Sequence, residues 1–295
     1  MRKYDLLAVD LDGTLLDHRG RISPANIAAL ARARREGLHI TICTGRALIE
    51  CREIVRTVAQ TDPCIVSGGA MVADPVTEET LERFAMDAKL IAELVGFLSG
   101  EGHPALVLKD PWAAGFDYLA VGPRGPEGLD PASRWWFDRM GVRVRYAASL
   151  SEDQHPEHTV RIGAYSANKP VDELAATLRE RFGAITMLQH FTGVLLPAER
   201  KAQGVESIHI VELFDPKADK WLALQRLAAR MGIAESRIAA IGDQTNDLSM
   251  ITHAGLGVAM GNGHERVKAA ADQVTRDVAD DGLAHAIEQM LAGTW

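Results

Sequence analysis

Asp10 and Asp12 stand two residues apart in the run Asp10-Leu11-Asp12-Gly13-Thr14. In extended backbone, residues i and i+2 point the same way, so both carboxylates share one side. Gly13 lets the chain turn straight after them. Neighbouring carboxylates repel unless a cation or a shared proton relieves them. Asp243 and Asp247, in Gly242-Asp243-Gln244-Thr245-Asn246-Asp247, add two more acids. Hard oxygen donors with places for water suit Mg²⁺. An isolated Asp-x-Asp is most often a solvated turn, so the case rests on convergence. An EF-hand is excluded, since Gly13 follows Asp10 too closely for that loop.

A carboxylate such as Asp10 is also able to attack phosphorus. The resulting aspartyl-phosphate divides one hard displacement into two easier ones. Phosphoryl transfer otherwise needs positioning and cancellation of charge on the equatorial oxygens. The Thr44 hydroxyl in Thr44-Gly45-Arg46, with adjacent backbone N–H groups, offers hydrogen bonds to those oxygens. Lys220, at the start of a predicted helix, offers a cation.

The elements that must hold these residues are legible as apolar runs. Leu6–Val9, His39–Cys43 and Ile238–Ile241 read as short strands buried on both faces, as in a helix-covered parallel sheet. Between the first two, Ser23-Pro24 opens a helix that ends at Gly37, which makes a βαβ unit. Ligands of open α/β sheets bind past the carboxyl ends of the strands, and that is where each polar cluster falls. Helices are also expected at 47–60, 87–99, 171–182, 220–231, 245–253, 264–271 and 282–291. Between 84 and 213 the rhythm changes to short strand-like pieces, with a Pro/Gly-rich loop at 122–131. The expected fold is α/β: a doubly wound, Rossmann-like parallel-sheet core with an inserted α+β cap domain. The core comprises 1–83 and 214–295, and the insertion comprises 84–213.

The chain has 295 residues, enough for one large domain or two ordinary ones, with 47% hydrophobic and 24% charged residues. That balance excludes disordered, collagen-like and disulfide-scaffold classes. A net charge of −8 disfavours nucleic acid and anionic membrane surfaces as partners. Asp5, Asp10 and Asp12 interrupt the one apolar run near Arg2 and Lys3, so no signal or membrane segment is expected there. Cys43, Cys51 and Cys64 show no pairing pattern, which fits a reducing compartment and a soluble, cytoplasmic protein.

Asp10-Leu11-Asp12-Gly13-Thr14, Thr44-Gly45-Arg46, Lys220 and Gly242-Asp243-x-x-Asn246-Asp247 together resemble the four ordered motifs of the haloacid dehalogenase superfamily. Ala254-Gly255-Leu256-Gly257-Val258-Ala259-Met260-Gly261-Asn262 is similar to its Cof-type branch. So are Ala271-Asp272-x-Val274-Thr275 and Asp281-Gly282. The insertion matches a type-IIB cap in size and position. The resemblance implies a Mg²⁺-dependent phosphatase acting on a small phosphorylated metabolite, foremost a sugar phosphate, with the cap closing over it. Asp10 is then nucleophile and metal ligand. Asp12 is general acid and base, with its carbonyl on the metal. Thr44, Gly45 and Lys220 hold phosphate, and Asp243 binds metal. Asn246 and Asp247 support the metal. Asn262 faces substrate, and Arg46 serves either a substrate anion or a structural salt bridge. A phosphomutase using the same intermediate and a receiver-like phosphoacceptor module are the rivals. Two departures stand out: Trp221 follows Lys220 where the family often has Gly, and Gly68 replaces a usual Asn.

Other features carry less. His155 and His158 read as a charged loop. Trp135-Trp136-Phe137 reads as cap core or a pocket wall. No P-loop or dinucleotide fingerprint is present.

Overall fold

The computed structural model describes residues 3–167, 171–193 and 207–295. In chain order the first strand is β1 (Leu6–Val9), all four residues buried. Helix α1 (Pro24–Arg35) follows, capped by the Ser23 hydroxyl, which accepts from the Asn26 N–H at 3.1 Å. Next come β2 (His39–Ile42), α2 (Leu48–Thr57), β3 (Cys64–Val66), β4 (Met71–Ala73) and β5 (Thr80–Arg83). The middle of the chain holds α3 (Ala88–Gly100), β6 (Ala105–Lys109), α4 (Pro111–Ala114), β7 (Tyr118–Val121) and α5 (Pro131–Met140). It continues with β8 (Val144–Ala147), β9 (Thr159–Ala167), α6 (Asp172–Phe182), β10 (Met187–Gly193) and β11 (Ile208–Phe214). The last part holds α7 (Lys220–Arg230), β12 (Ile238–Gly242), α8 (Leu248–His253), β13 (Leu256–Ala259), α9 (Glu265–Ala270), β14 (Gln273–Val274) and α10 (Gly282–Leu291).

Two compact units result: Met1–Leu81 with Asp219–Trp295, and Glu82–Ala218. The spacing of motifs places the second crossing at 214, whereas the second unit runs on to Ala218. The reason is pairing: Phe214 ends β11 and is registered with both Met187 and Arg161 in the second unit's sheet.

In the first unit the sheet order is β14-β13-β12-β1-β2, and each neighbouring pair runs parallel. From β1 the chain goes to β2 on one side and later to β12 on the other. That reversal is the topological switch where α/β sheets open a crevice. A parallel bridge from Cys43 to Ile65 brings β3 alongside. The apolar strands are sealed by helices, with α1 packed on α10 and α7 on α8.

The second unit is a six-stranded sheet of order β10-β11-β9-β6-β7-β8. It is antiparallel except for β7 with β8. One core joins the apolar side chains of α3 and α6 to Val107, Leu119, Ile162, Val211 and Leu213. The 122–131 loop contains a short 3₁₀ turn, Gly125–Gly128, and leads into α5, which the sequence pattern does not reveal. Its aromatic triplet packs within the unit. Phe137 is buried against the Tyr118 ring at 5.3 Å, and Trp135 packs against Ile208.

Candidate active site

The register of the first unit assembles the polar clusters. Val9 is paired with Ile42 and with Ile241, so residues 10, 43–44 and 242–243 leave the sheet at one edge. Asp10 follows β1 directly, and its N–H donates to the Ile241 carbonyl at 3.0 Å. Two glycines permit the close approach. Gly13 has φ +85°, and a Cβ there would collide with the Asp243 carboxylate. A Cβ on Gly242 would lie 2.6 Å from that of Asp247.

Asp10, Asp243 and Asp247 each place a carboxylate oxygen within 4.8 Å of the others, all buried. Lys220, 1% exposed, bridges two of them. Its Nζ donates to Asp10 Oδ1 at 2.7 Å and to Asp247 Oδ1 at 2.5 Å. Asp247 Oδ2 accepts from the backbone N–H groups of Asp243 and Gln244, each at 3.0 Å. Asp247 is therefore spent on scaffolding, in keeping with a supporting role.

Electrostatics follow from burial. Removal from water raises the Asp10 carboxyl well above the usual range, Asp247 and Asp243 raise it further, and Lys220 pulls it back. Asp243 is pushed up to about 7, by burial first and then by Asp247, against a hydrogen bond from Gln244. Burial works against the Lys220 charge, but Asp10 and Asp247 outweigh it and raise its pKa.

Two oxygens here lack any partner. Asp243 Oδ1 and Asn246 Oδ1 are buried with no hydrogen bond. Buried acceptors without donors are costly. Three clustered carboxylates, two of them bonded to one ammonium, with orphaned oxygens beside them, fit a hard divalent cation. Asp10 and Asp243 would hold it, with Asn246 close by in sequence and the Asp12 carbonyl as a further hard donor.

The Asp12 side chain lies outside this cluster. It pairs with Arg46 through two bonds, Nε to Oδ2 at 2.8 Å and Nη2 to Oδ1 at 2.5 Å. Of the two roles open to Arg46, the salt bridge is the one observed. Thr44 is buried, its hydroxyl accepting from the Arg46 N–H at 3.1 Å and its carbonyl from the Gly68 N–H at 2.9 Å. Gly45 lies between these two residues. Asn262 lies beside the Asp12-Gly13 turn. Its Nδ2 donates to the Gly13 carbonyl at 2.8 Å and its Oδ1 accepts from the Val278 N–H at 2.8 Å. Each end of the amide thus holds backbone, which pins that turn, and one N–H of the amide has no partner among these two bonds.

The bulky Trp221 is 8% exposed and stacks on His253, with ring centroids 5.7 Å apart. Gly68 and Gly69 both have positive φ, +69° and +99°, which accounts for glycine at that turn. Sequence reasoning missed Gln244, whose Nε2 donates to Asp243 Oδ2 at 3.1 Å, and Asp219, the N-cap of α7. The second could have been found, because a polar residue before a helix is a cap signal.

In the second unit, His155, Glu157 and His158 also bring ligand atoms within 4.8 Å. Glu157 is largely exposed and already pairs with His158 Nε2 at 3.1 Å. Among the described residues no helix is long and apolar enough to cross a membrane.

Residues 7–287 match the model of the haloacid dehalogenase-like hydrolases. The chain is 28% identical over 301 residues to the phosphatase YwpJ of Bacillus subtilis, covering 97% of this chain and 99% of the relative. It is 29% identical over 287 residues to the pyridoxal phosphate phosphatase YbhA of Escherichia coli, covering 96% and 97%. A solved haloacid dehalogenase-like hydrolase from B. subtilis superposes with a TM-score of 0.73 at 27% identity, covering 96% of this chain and 99% of that one.

Proposed function

The chain belongs to the haloacid dehalogenase-like hydrolases, and on that premise we propose that it is a Mg²⁺-dependent phosphomonoester hydrolase working through an aspartyl-phosphate on Asp10. It is a phosphatase, as its full-length relatives are named. The substrate class we assign is a small phosphorylated metabolite, with sugar phosphates first.

The observation that carries this reading is the Lys220 ammonium held between Asp10 and Asp247, beside the unpartnered Asp243 Oδ1. A cation bonded to the nucleophile orients it and favours its ionised form. It also lies where charge on a transferring phosphoryl group must be offset. When bound, Mg²⁺ supplies further positive charge at the same oxygens.

In the first step an Asp10 carboxylate oxygen attacks phosphorus, and the bond from phosphorus to the leaving oxygen breaks. The leaving oxygen takes a proton from the Asp12 carboxyl. In the second step the Asp12 carboxylate takes a proton from water, whose oxygen attacks phosphorus. The bond to Asp10 breaks and inorganic phosphate leaves. One residue thus serves as acid and then base. Thr44 and the Gly45 backbone donate to the equatorial oxygens. Asp12 holds Arg46 with both oxygens, so acid duty requires that pair to open. An anionic substrate competing for Arg46 achieves that.

The test is phosphate release from a panel of phosphorylated metabolites, with Mg²⁺ or with excess chelator. Free phosphate with Mg²⁺, and none with chelator or with Asp10→Asn, is the expected result. Isomerised sugar phosphate without free phosphate would mean a mutase. Undiminished turnover in chelator would remove the metal from the account.

A further inference from the structure

Lys220 is the first residue of α7, so whatever fixes that helix end fixes the ammonium. Asp219 caps the helix. Its Oδ1 accepts from the backbone N–H groups of Trp221 at 2.9 Å and Leu222 at 3.1 Å. A cap needs no more than this. The second oxygen does something a cap does not require: Oδ2 accepts from the Ser249 hydroxyl at 2.7 Å. Ser249 lies in α8, two residues beyond Asp247, the other acceptor of the Lys220 ammonium.

Neighbouring contacts brace the same joint. Trp221 stacks on His253 of α8 at an interplanar angle of 21°, and His253 Nδ1 donates to the Ser249 carbonyl at 2.8 Å. On another side, Gly69 approaches so closely that a Cβ there would lie 2.8 Å from the Lys220 backbone nitrogen. A lysine in the first helical turn is opposed by the positive end of the helix dipole, and the Asp219 carboxylate offsets that.

Taking Lys220 as the phosphoryl-binding cation of the reading above, we propose that Asp219 and Ser249 form a strut that positions it. The strut ties the start of α7 to α8. It thereby sets the distance between the lysine and the acids at the carboxyl end of β12. Asp219 does not touch the reacting atoms. It acts through Lys220, as a positioning residue.

Two variants keep the cap and remove the strut. Ser249→Ala deletes the hydroxyl. Asp219→Ser caps with its single oxygen and has none left for α8. Asp219→Asn is the conservative control, because its amide caps with Oδ1 and pairs with Ser249 through Nδ2. Each full-length, metal-free protein is treated with trace acetic anhydride at 25 °C, and acetylation at Lys220 is read by peptide mass mapping. Both strut variants should acetylate Lys220 several-fold faster than wild type, and Asp219→Asn at the wild-type rate. Under saturating substrate with Mg²⁺, the strut variants should lose about tenfold in kcat with KM changed far less, since a small misplacement is costly to a preorganised group. Wild-type Lys220 protection in both strut variants overturns the proposal, and so does unchanged kcat beside an active wild type. A wild type that releases no phosphate overturns the functional reading instead, and the acetylation result then decides on the strut alone.

Discussion

The acidic cluster should make the metal-free protein less stable as pH rises, and divalent cation should cancel that loss. Asp243, 3% exposed, has its carboxyl moved from an ordinary 3.8 to about 7. A group whose pKa is raised on folding contributes stability that is complete below its unfolded pKa and is lost as pH climbs through the folded one. The window here is therefore about pH 4 to 7, flat beyond. Between pH 5.5 and 7 the loss is on the order of 2 kcal/mol, at about 1.4 kcal/mol per pH unit. Asp10 is shifted the same way by burial and by its acidic neighbours, so it adds to the slope. For a unit of this size that corresponds to a Tm lower by about 4–8 °C. The assay is thermal unfolding followed by circular dichroism at pH 5.5 and pH 8, in chelator and in Mg²⁺, for wild type and Asp243→Asn. The variant should show a shallower pH slope in chelator, and Mg²⁺ should restore wild type at pH 8. Equal slopes in the two proteins would refute the reasoning, because the cluster would then carry no buried charge cost.

Other consequences are as direct. Gly13→Ala puts a Cβ into the Asp243 carboxylate at a φ of +85°; a loss of about 1–3 kcal/mol in denaturant unfolding, together with lost phosphatase activity, is expected. Arg46→Ala removes a pair whose two side chains are 30% and 58% exposed, so stability should change by less than about 1 kcal/mol while kcat/KM falls as an anionic substrate loses the guanidinium. The three cysteines are free and buried, and burial raises all three thiols, Cys64 up to about 12. Ellman's reagent should therefore report almost no thiol in native protein and all of them in guanidinium.

Much of the first unit was legible because its signals are local. Leu6–Val9 and Ile238–Ile241 are unbroken apolar runs, and in parallel sheets that alone marks a strand buried on both faces. The acids follow those runs immediately, so the strands alone place Asp10 and Asp243 in one cluster. The second unit resisted for the opposite reason. Its α5 starts at Pro131 behind the turn at Gly125–Gly128, and the aromatic triplet hid a helix that is held by contacts with Tyr118 and Ile208. The strand β11 depends on partners far along the chain. The bond from Asn262 to the Gly13 carbonyl joins residues 249 apart, which no local pattern reveals. Asp219 is legible as a cap from its position before Lys220, but its bond to Ser249, 30 residues on, is not.

The central claim is that phosphorus passes through Asp10. Rapid acid quench of a single turnover, with enzyme in excess over a phosphomonoester and Mg²⁺ present, followed by peptide mapping, tests it most directly. The account predicts a phosphorylated peptide carrying the modification on Asp10, rising and then decaying as free phosphate appears, and absent from Asp10→Asn. Free phosphate accumulating with no phosphorylated Asp10 at any time within the turnover would contradict it.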